Sequence, residues 1–268
     1  MDNASRELRE RVLRVAHKGG DANLQSAFSA MEILWTLYDR VLHGIQKAAS
    51  VPQQCLEEAK DKDVFVLSKG QSTLAMLAVL ARKGILDDAE LDGFCQYDSR
   101  CSMQVDRTKF HGEIVSSAGS LGHGFPMAVG LAMAKKIKQE TGTVYVLAGD
   151  GEMNEGTMWE ACILADTHHL DNLCLIIDDN HSSQKMVRLD NLGNKLEAFG
   201  FHTDICNGHD VEALARLLGQ KRQGMPRAVI AETVRGYGSE TLMNDNSWFH
   251  RAPNETELHE LIREVWKF

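Results

Sequence analysis

The stretch LAGDGEMNEG, Leu147 to Gly156, starts in the last residues of the apolar run Thr143 to Ala148 and opens through glycines toward a helix. A buried strand that passes through a glycine turn into a helix usually prepares a phosphate site, because the first backbone N–H groups of the helix point outward and unpaired. Here the turn carries three acids, Asp150, Glu152 and Glu155, and no Lys or Arg. An acidic turn repels a phosphate unless a cation stands between them.

The rest of the chain supplies a frame for that turn. From Thr143 onward the order is strand, helix, strand. TVYVLA is followed by a helix near 156–169 and by LCLIID at 173–178. FHTDIC at 201–206, a helix near 210–219, RAVIAETV at 227–234 and a last helix from Asn254 complete the series. Strands alternating with helices predict an α/β fold: a doubly wound, mostly parallel sheet with helices on both faces. The part before it, about residues 1–60, reads helical. Leu8, Val12, Val15 and Ala16 recur at helical spacing, and SAME (Ser29 to Glu32) has the form of a capping box opening a helix through Ile33, Leu34, Leu37 and Val41. DVFVLSKG (63–70) reads as a short buried strand followed by a helix from Thr73 to Arg82. SAGSLGHG (117–124) is a glycine-rich turn leading into a helix that reaches about Lys138. The segment 236–253 has no regular pattern and reads as a long polar loop with Trp248 and His250 embedded.

Composition narrows the function. The 268 residues suffice for one large domain, and a hydrophobic fraction of 43% with 25% charged residues is ordinary for a globular protein. A net charge of −9 argues against nucleic acid or an anionic membrane as the main partner. There is no 18-residue apolar run and the first fifteen residues lack the apolar centre of a secretion signal. The cysteines (55, 95, 101, 162, 174 and 206) are scattered without a C-x-x-C pair. Free thiols in a reducing cytoplasm are therefore expected.

In a doubly wound sheet ligands bind at the carboxyl ends of the strands. Asp150 and Asn180 lie at two such ends, about thirty residues apart, the length of one strand–helix–strand unit. A carboxylate and an amide oxygen form a hard-oxygen site suited to Mg²⁺ or Ca²⁺. The turn would be acidic because it binds the metal, and the metal would hold a diphosphate.

The segment GDGEMNEGTMWEACILADTHHLDNLCLIIDDN (149–180) resembles the thiamine diphosphate motif, and FVLSKG, GSLGHG, NGHDVEAL and APNETEL, in that order, are similar to the transketolase family. The likeness runs from about residue 6 to 265 and is nearest to the N-terminal subunit of split transketolases. The resemblance implies that Asp150, the side chain of Asn180 and the backbone carbonyl of Ser182 bind the metal. It also implies that Gly151 lies against the diphosphate with Glu152 beside it, and that Gly119 and Leu121 approach the aminopyrimidine. Glu155 matches an acid near a two-fold interface. The glutamate that activates the pyrimidine belongs, in the family, to a domain with no counterpart here. The resemblance therefore implies a C-terminal partner subunit carrying that domain and an α2β2 assembly.

The donor pocket departs from the family. Asn23, Gln71 and Gln104 stand where transketolases carry histidines, with Gln71 also expected near the cofactor. An amide keeps hydrogen bonding but cannot exchange a proton near neutral pH as imidazole does. Remaining candidates for that work are His250, His111 and His123. Three functions follow: ketol transfer, a decarboxylating carboligation of a 2-oxo acid such as pyruvate, or a non-catalytic relative that binds a partner. His168 and His169 at a helix end, and His209 before Asp210, read as structural.

Overall fold

The computed structural model describes residues 1–45, 61–110, 112–183, 187–220 and 223–268; Cys55 and His111 lie outside them. Five strands, β1 (Val64–Leu67), β2 (Val144–Gly149), β3 (Leu173–Asp179), β4 (His202–Asn207) and β5 (Arg227–Glu232), form one parallel sheet in the order β1-β2-β3-β5-β4. All six residues of β2 are buried, as are the first six of β3. This explains why both read as continuous apolar runs: each face of the sheet is covered, so neither side of the strand can be polar.

Alternate residues of one strand feed two different cores. Tyr145 and Leu147 pack with α1 (Asn3–Gly19), α3 (Met31–Thr36), α4 (Thr73–Arg82), α9 (Val211–Leu218) and α11 (Glu255–Lys267). Val144, Val146 and Ala148 pack with α6 (Gly124–Ile137), α7 (Gly156–Thr167) and α8 (Leu192–Ala198) on the other face. The short α2 (Leu24–Ser29) and α5 (Asp88–Leu91) join the first layer. The helix returning from β4 to β5, α9, lies opposite α7 and α8. Reversing the direction of strand addition while keeping the crossover right-handed moves the helix to the other face.

Most predicted elements lie within two residues of their expected ends, and Asp210 and Asn254 cap α9 and α11 as N-caps do. Three readings change. Ser29 and Glu32 do not form a capping box: Ser29 is the last residue of α2, and α3 begins at Met31 without a side-chain cap. Ser29 Oγ instead donates to Asp178 Oδ2 at 2.7 Å, and Glu32 takes the guanidinium of Arg9 at 2.6 and 2.8 Å. Long-range charge pairing has overridden the local motif. The loop 236–253 holds a helix, α10 (Glu240–Asn244), capped by Ser239, and its Trp248 is buried. Helix α8 was not foreseen: only Leu192 and Leu196 of its residues are buried, too few to mark a periodic stripe.

Arg9 and Glu32 are 0% and 2% exposed. Burial alone would raise the Glu32 carboxyl, but the Arg9 charge and hydrogen bonds from His209 and Arg9 overcome it and hold the group at about 2. A carboxyl depressed in the fold contributes stability above its ordinary value of 4.5, lost as the pH falls toward about 2. Glu32→Ala strands Arg9 without its partner and should cost about 3–5 kcal/mol by urea unfolding at neutral pH, with a flatter acid limb than the parent protein.

Candidate active site

The carboxyl ends of four strands converge on one cleft of about 430 Å³. β1 is followed by Lys69 and Gln71, β2 by Asp150, Gly151 and Glu152, β3 by Ser182 and Ser183, and β5 by Arg235; Ser26, Leu121 and Phe249 close the walls. The adjacency of β2 and β3 is what brings the Asp150 and Asn180 regions together, in register from Val144–Leu173 to Gly149–Asp178.

Asp150 is 3% exposed and forms no ion pair among the described residues. Its Oδ1 accepts from Ser182 Oγ at 2.9 Å, and its Oδ2 accepts from the N–H and hydroxyl of Ser183, both at 3.1 Å. Asn180 Oδ1 accepts from Ser182 N at 3.0 Å, while its Nδ2 donates to Ser29 Oγ at 3.2 Å. The Ser182 turn thus bridges the carboxylate and the amide. A buried carboxylate met only by neutral donors, next to an amide oxygen and a chain turn, is a donor set that fits Mg²⁺, which takes few carboxylates and leaves positions for phosphate oxygens and water. No cluster of three or more His, Cys, Asp or Glu side chains among the described residues offers an alternative.

Glu152 is turned inward. Its Oε1 accepts from Ser68 Oγ at 2.6 Å and from Gly122 N at 3.0 Å, and its Oε2 accepts from Gly149 N at 2.9 Å. One carboxylate therefore fastens the end of β1, the end of β2 and the glycine turn before α6. Gly122 can join because its φ is +76° and a side chain there would meet Glu155 at 2.6 Å. Burial, partly offset by these hydrogen bonds, holds the Glu152 carboxyl above its ordinary range.

The sequence-predicted residues do not all meet. Gln71 and Leu121 line the cleft with Asp150, Gly151, Glu152 and Ser182. Gly119 lines a smaller neighbouring cleft of about 220 Å³ with Ser68 and His123. Gln104 packs its Oε1 over Gly70, where a Cβ would collide with it, and that oxygen is buried without a partner. Asn23 is buried with both side-chain polar atoms unpartnered. His250 is half-exposed and sits 3.6 Å from Asp21, outside the cleft lining; the neighbouring Phe249 takes the wall position instead. No histidine lines the cleft among the described residues. His168 and His169 are exposed at the end of α7, and Lys136 bonds to both of their carbonyls.

Sequence reasoning missed Lys69, Asp178 and Arg235. Lys69 is buried and paired with the fully buried Asp178. Each follows or ends a strand at its carboxyl edge, the position that marks functional residues in such sheets, and that rule would have found them.

The family model for the thiamine diphosphate binding domain of transketolase matches residues 17–268. The chain belongs to the transketolase family. It is 32% identical over 255 residues to one of the subunits of the apulose-4-phosphate transketolase of Actinobacillus succinogenes, covering 93% of this chain and 87% of that one. It is 31% identical to human transketolase over 271 residues, covering 99% of this chain but only 42% of that protein. The solved transketolase of Leishmania mexicana superposes with a TM-score of 0.78 at 24% identity, over 99% of this chain and 42% of that one, and shares its fold. The resemblance carried by the GDG turn and its flanking words is thereby a family membership.

Glu152→Gln tests the staple. The amide nitrogen would face a backbone N–H or a hydroxyl proton where an acceptor is needed, a loss of about 1–3 kcal/mol by urea unfolding. Because the folded state holds the Glu152 proton more tightly than the unfolded chain, that group's contribution is full below its ordinary range and falls as pH rises through the raised value. The variant should lack this fall.

Proposed function

We propose that this chain is the diphosphate-binding subunit of a two-component, thiamine diphosphate-dependent enzyme that transfers a two-carbon unit. The observation that carries the reading is the buried Asp150 carboxylate, without an ion pair among the described residues, bridged by the Ser182 turn to Asn180. Asp150, Asn180 Oδ1 and the Ser182 carbonyl would hold Mg²⁺ or Ca²⁺, with Gly151 giving close access to the diphosphate and Leu121 and Gly119 standing on the pyrimidine side. Bound thiamine diphosphate supplies a thiazolium that stabilises a carbanion. A C-terminal partner subunit would bring the activating glutamate. The Actinobacillus succinogenes relative, named as one subunit of its enzyme, supports such a partner. Exposed Met127, Ile163 and Leu164 on α6 and α7 support self-association into an α2β2 assembly. The free thiols of the described cysteines suit the cytoplasm.

The reacting unit is a ketol or an acyl group. Breaking a ketose needs a base at the substrate hydroxyl, whereas loss of CO₂ from a 2-oxo acid does not. Among the cleft's titratable side chains, Glu152 is held by three donors and Lys69 by Asp178, while Asp150 is committed to the metal. Gln71 can bind without exchanging protons, Gln104 and Asn23 are amides that stand off the wall, and His250 lies outside it. This absence of a free base in the described lining favours a decarboxylating carboligation as the second reading. With its partner, cofactor and Mg²⁺, the enzyme on that reading releases CO₂ from pyruvate; on the first it consumes a ketose phosphate without gas, and turnover of neither leaves only a binding role.

Asp150→Ala should abolish Mg²⁺-dependent binding of thiamine diphosphate to the reconstituted pair, read by calorimetry. Unchanged affinity in that variant removes the metal assignment.

A further inference from the structure

The cleft wall contains an aromatic ring that the binding of a metal and a diphosphate does not use. Among the described lining, Leu121 and Phe249 are the two apolar side chains; the others are charged, amide or hydroxyl groups and glycines. Leu121 stands on the pyrimidine side in the reading above. Phe249 has no such duty, and it is 53% exposed.

A single exposed phenyl on a loose surface loop would mean little, but this loop is held on both sides of the ring. Before it, the Asp245 carboxylate accepts from the N–H and the hydroxyl of Ser247, both at 2.8 Å, and the Asp245 carbonyl accepts from Gln25 Nε2 at 3.2 Å. Trp248 is buried, with the Arg251 guanidinium 4.0 Å from its ring centroid. After the ring, Arg251 N donates to Ala22 O at 3.1 Å, and the Arg251 side chain pairs with Glu257. Between these anchors the chain turns through His250 at a φ of +49°, and the imidazole meets the Phe249 ring edge to face at 4.6 Å. Trp248 thereby fills the core and Phe249 faces the cleft. A ring presented from a fixed backbone is a wall of set position, the condition for it to discriminate between ligands.

Hydration decides what a phenyl wall accepts. An alkyl group laid on it leaves water at a gain, whereas a hydroxyl laid on it gives up its hydrogen bonds to water and receives none. The titratable groups of the lining do not offset that loss by acting on the hydroxyl as a base: Asp178 holds Lys69, and three donors hold Glu152. Both observations point to a donor whose carbon chain next to the carbonyl is alkyl rather than hydroxylated.

We propose that Phe249 sets donor specificity: it packs against the alkyl group of a 2-oxo acid, so that the enzyme takes pyruvate or its longer homologue in preference to a donor hydroxylated at the same carbon. The proposal rests on the thiamine diphosphate reading above and sharpens its 2-oxo acid branch. It is tested on the complex with the partner subunit, Mg²⁺ and thiamine diphosphate, by CO₂ release from pyruvate, 2-oxobutyrate and 3-hydroxypyruvate. All three lose CO₂ in the same way: the electron pair of the broken C–C bond stays on the carbonyl carbon and is then taken by a proton or an acceptor carbonyl. The comparison therefore isolates the side chain. The parent should favour pyruvate over 3-hydroxypyruvate in kcat/KM by roughly ten- to a hundredfold. Phe249→Ala should lower kcat/KM about tenfold for pyruvate and further for 2-oxobutyrate, mainly through KM, and Phe249→Asn should bring the pyruvate to 3-hydroxypyruvate ratio close to one. Calorimetry should give both variants the parent's affinity for thiamine diphosphate with Mg²⁺ within about twofold. If that affinity holds and the ratio in Phe249→Asn is the parent's, the ring does not read the donor, and the proposal is wrong while the cofactor reading stands. If the variants lose cofactor affinity, or dissociate from the partner in sedimentation, the ring belongs to the cofactor site or the interface and the proposal is wrong. A parent enzyme that favours 3-hydroxypyruvate or a ketose phosphate over pyruvate also overturns it. If the parent does not bind thiamine diphosphate with Mg²⁺, the cofactor reading falls and takes the proposal with it.

Discussion

Asp178 is the constraint around which the cleft is built. It sits at the end of β3, fully buried, and receives Lys69 from beyond β1, Ser29 from the end of α2 and Thr233 from beyond β5. A single carboxylate thus ties together the carboxyl ends of three strands and the helical layer. A charge this deep is tolerated only when it is paired and its lone pairs are filled; removing Lys69 would leave the carboxylate uncompensated, and removing Ser29 or Thr233 would leave one of its lone pairs unmet. Ser29 then passes the restraint on, accepting from Asn180 Nδ2 and so fixing which way the Asn180 oxygen faces. The metal-type geometry at Asp150 and Asn180 is downstream of this buried hub.

The arrangement separates charges that hold the fold from charges left for chemistry. Lys69, Asp178, Arg9, Glu32 and Glu152 are all buried and all saturated. Asp150 and Arg235 line the cleft beside Lys69 and Glu152 but form no ion pair among the described residues. The difference lies in partners rather than in residue type. Two acids only two positions apart, Asp150 and Glu152, end with opposite duties because the turn between them points one toward the Ser182–Ser183 segment and the other toward Ser68, Gly149 and Gly122.

That distinction explains what the sequence could and could not convey. The sheet was legible because β2, β3 and β5 are buried on both faces over most of their length and carry apolar runs there, and the GDG turn was legible because strand, glycine and acid follow one another directly. The role of Glu152 was not, since its three donors come from residues 68, 122 and 149, and no local pattern reports such a meeting. SAME at 29–32 had the spacing of a cap, yet both of its polar residues were claimed by Asp178 and Arg9 from far along the chain. His250 stood out as an ionisable group in a long loop, but the turn at that residue, with a φ of +49°, leaves the aromatic ring of Phe249 on the cleft wall. Arg235 stood just past the carboxyl edge of a strand, but no local pattern around it showed that it would line the cleft.

The two amides away from the wall complete the physical picture. Asn23 and Gln104 are buried or half-buried with polar atoms that find no donor or acceptor, a cost of about 1–3 kcal/mol for each unmet group. A purely structural position would be relieved of that cost by an apolar residue of similar size, because replacing an unpaired polar group removes the penalty without losing any bond. Gln104 lies against Gly70, next to Gln71 of the cleft wall in the chain, while neither Gln104 nor Asn23 lines the cleft itself. Neutral amides can accept from and donate to hydroxyl or carbonyl groups, while adding no charge and moving no proton. Unmet and uncharged, the two amides leave the charge of the described lining to Lys69, Asp150, Glu152 and Arg235.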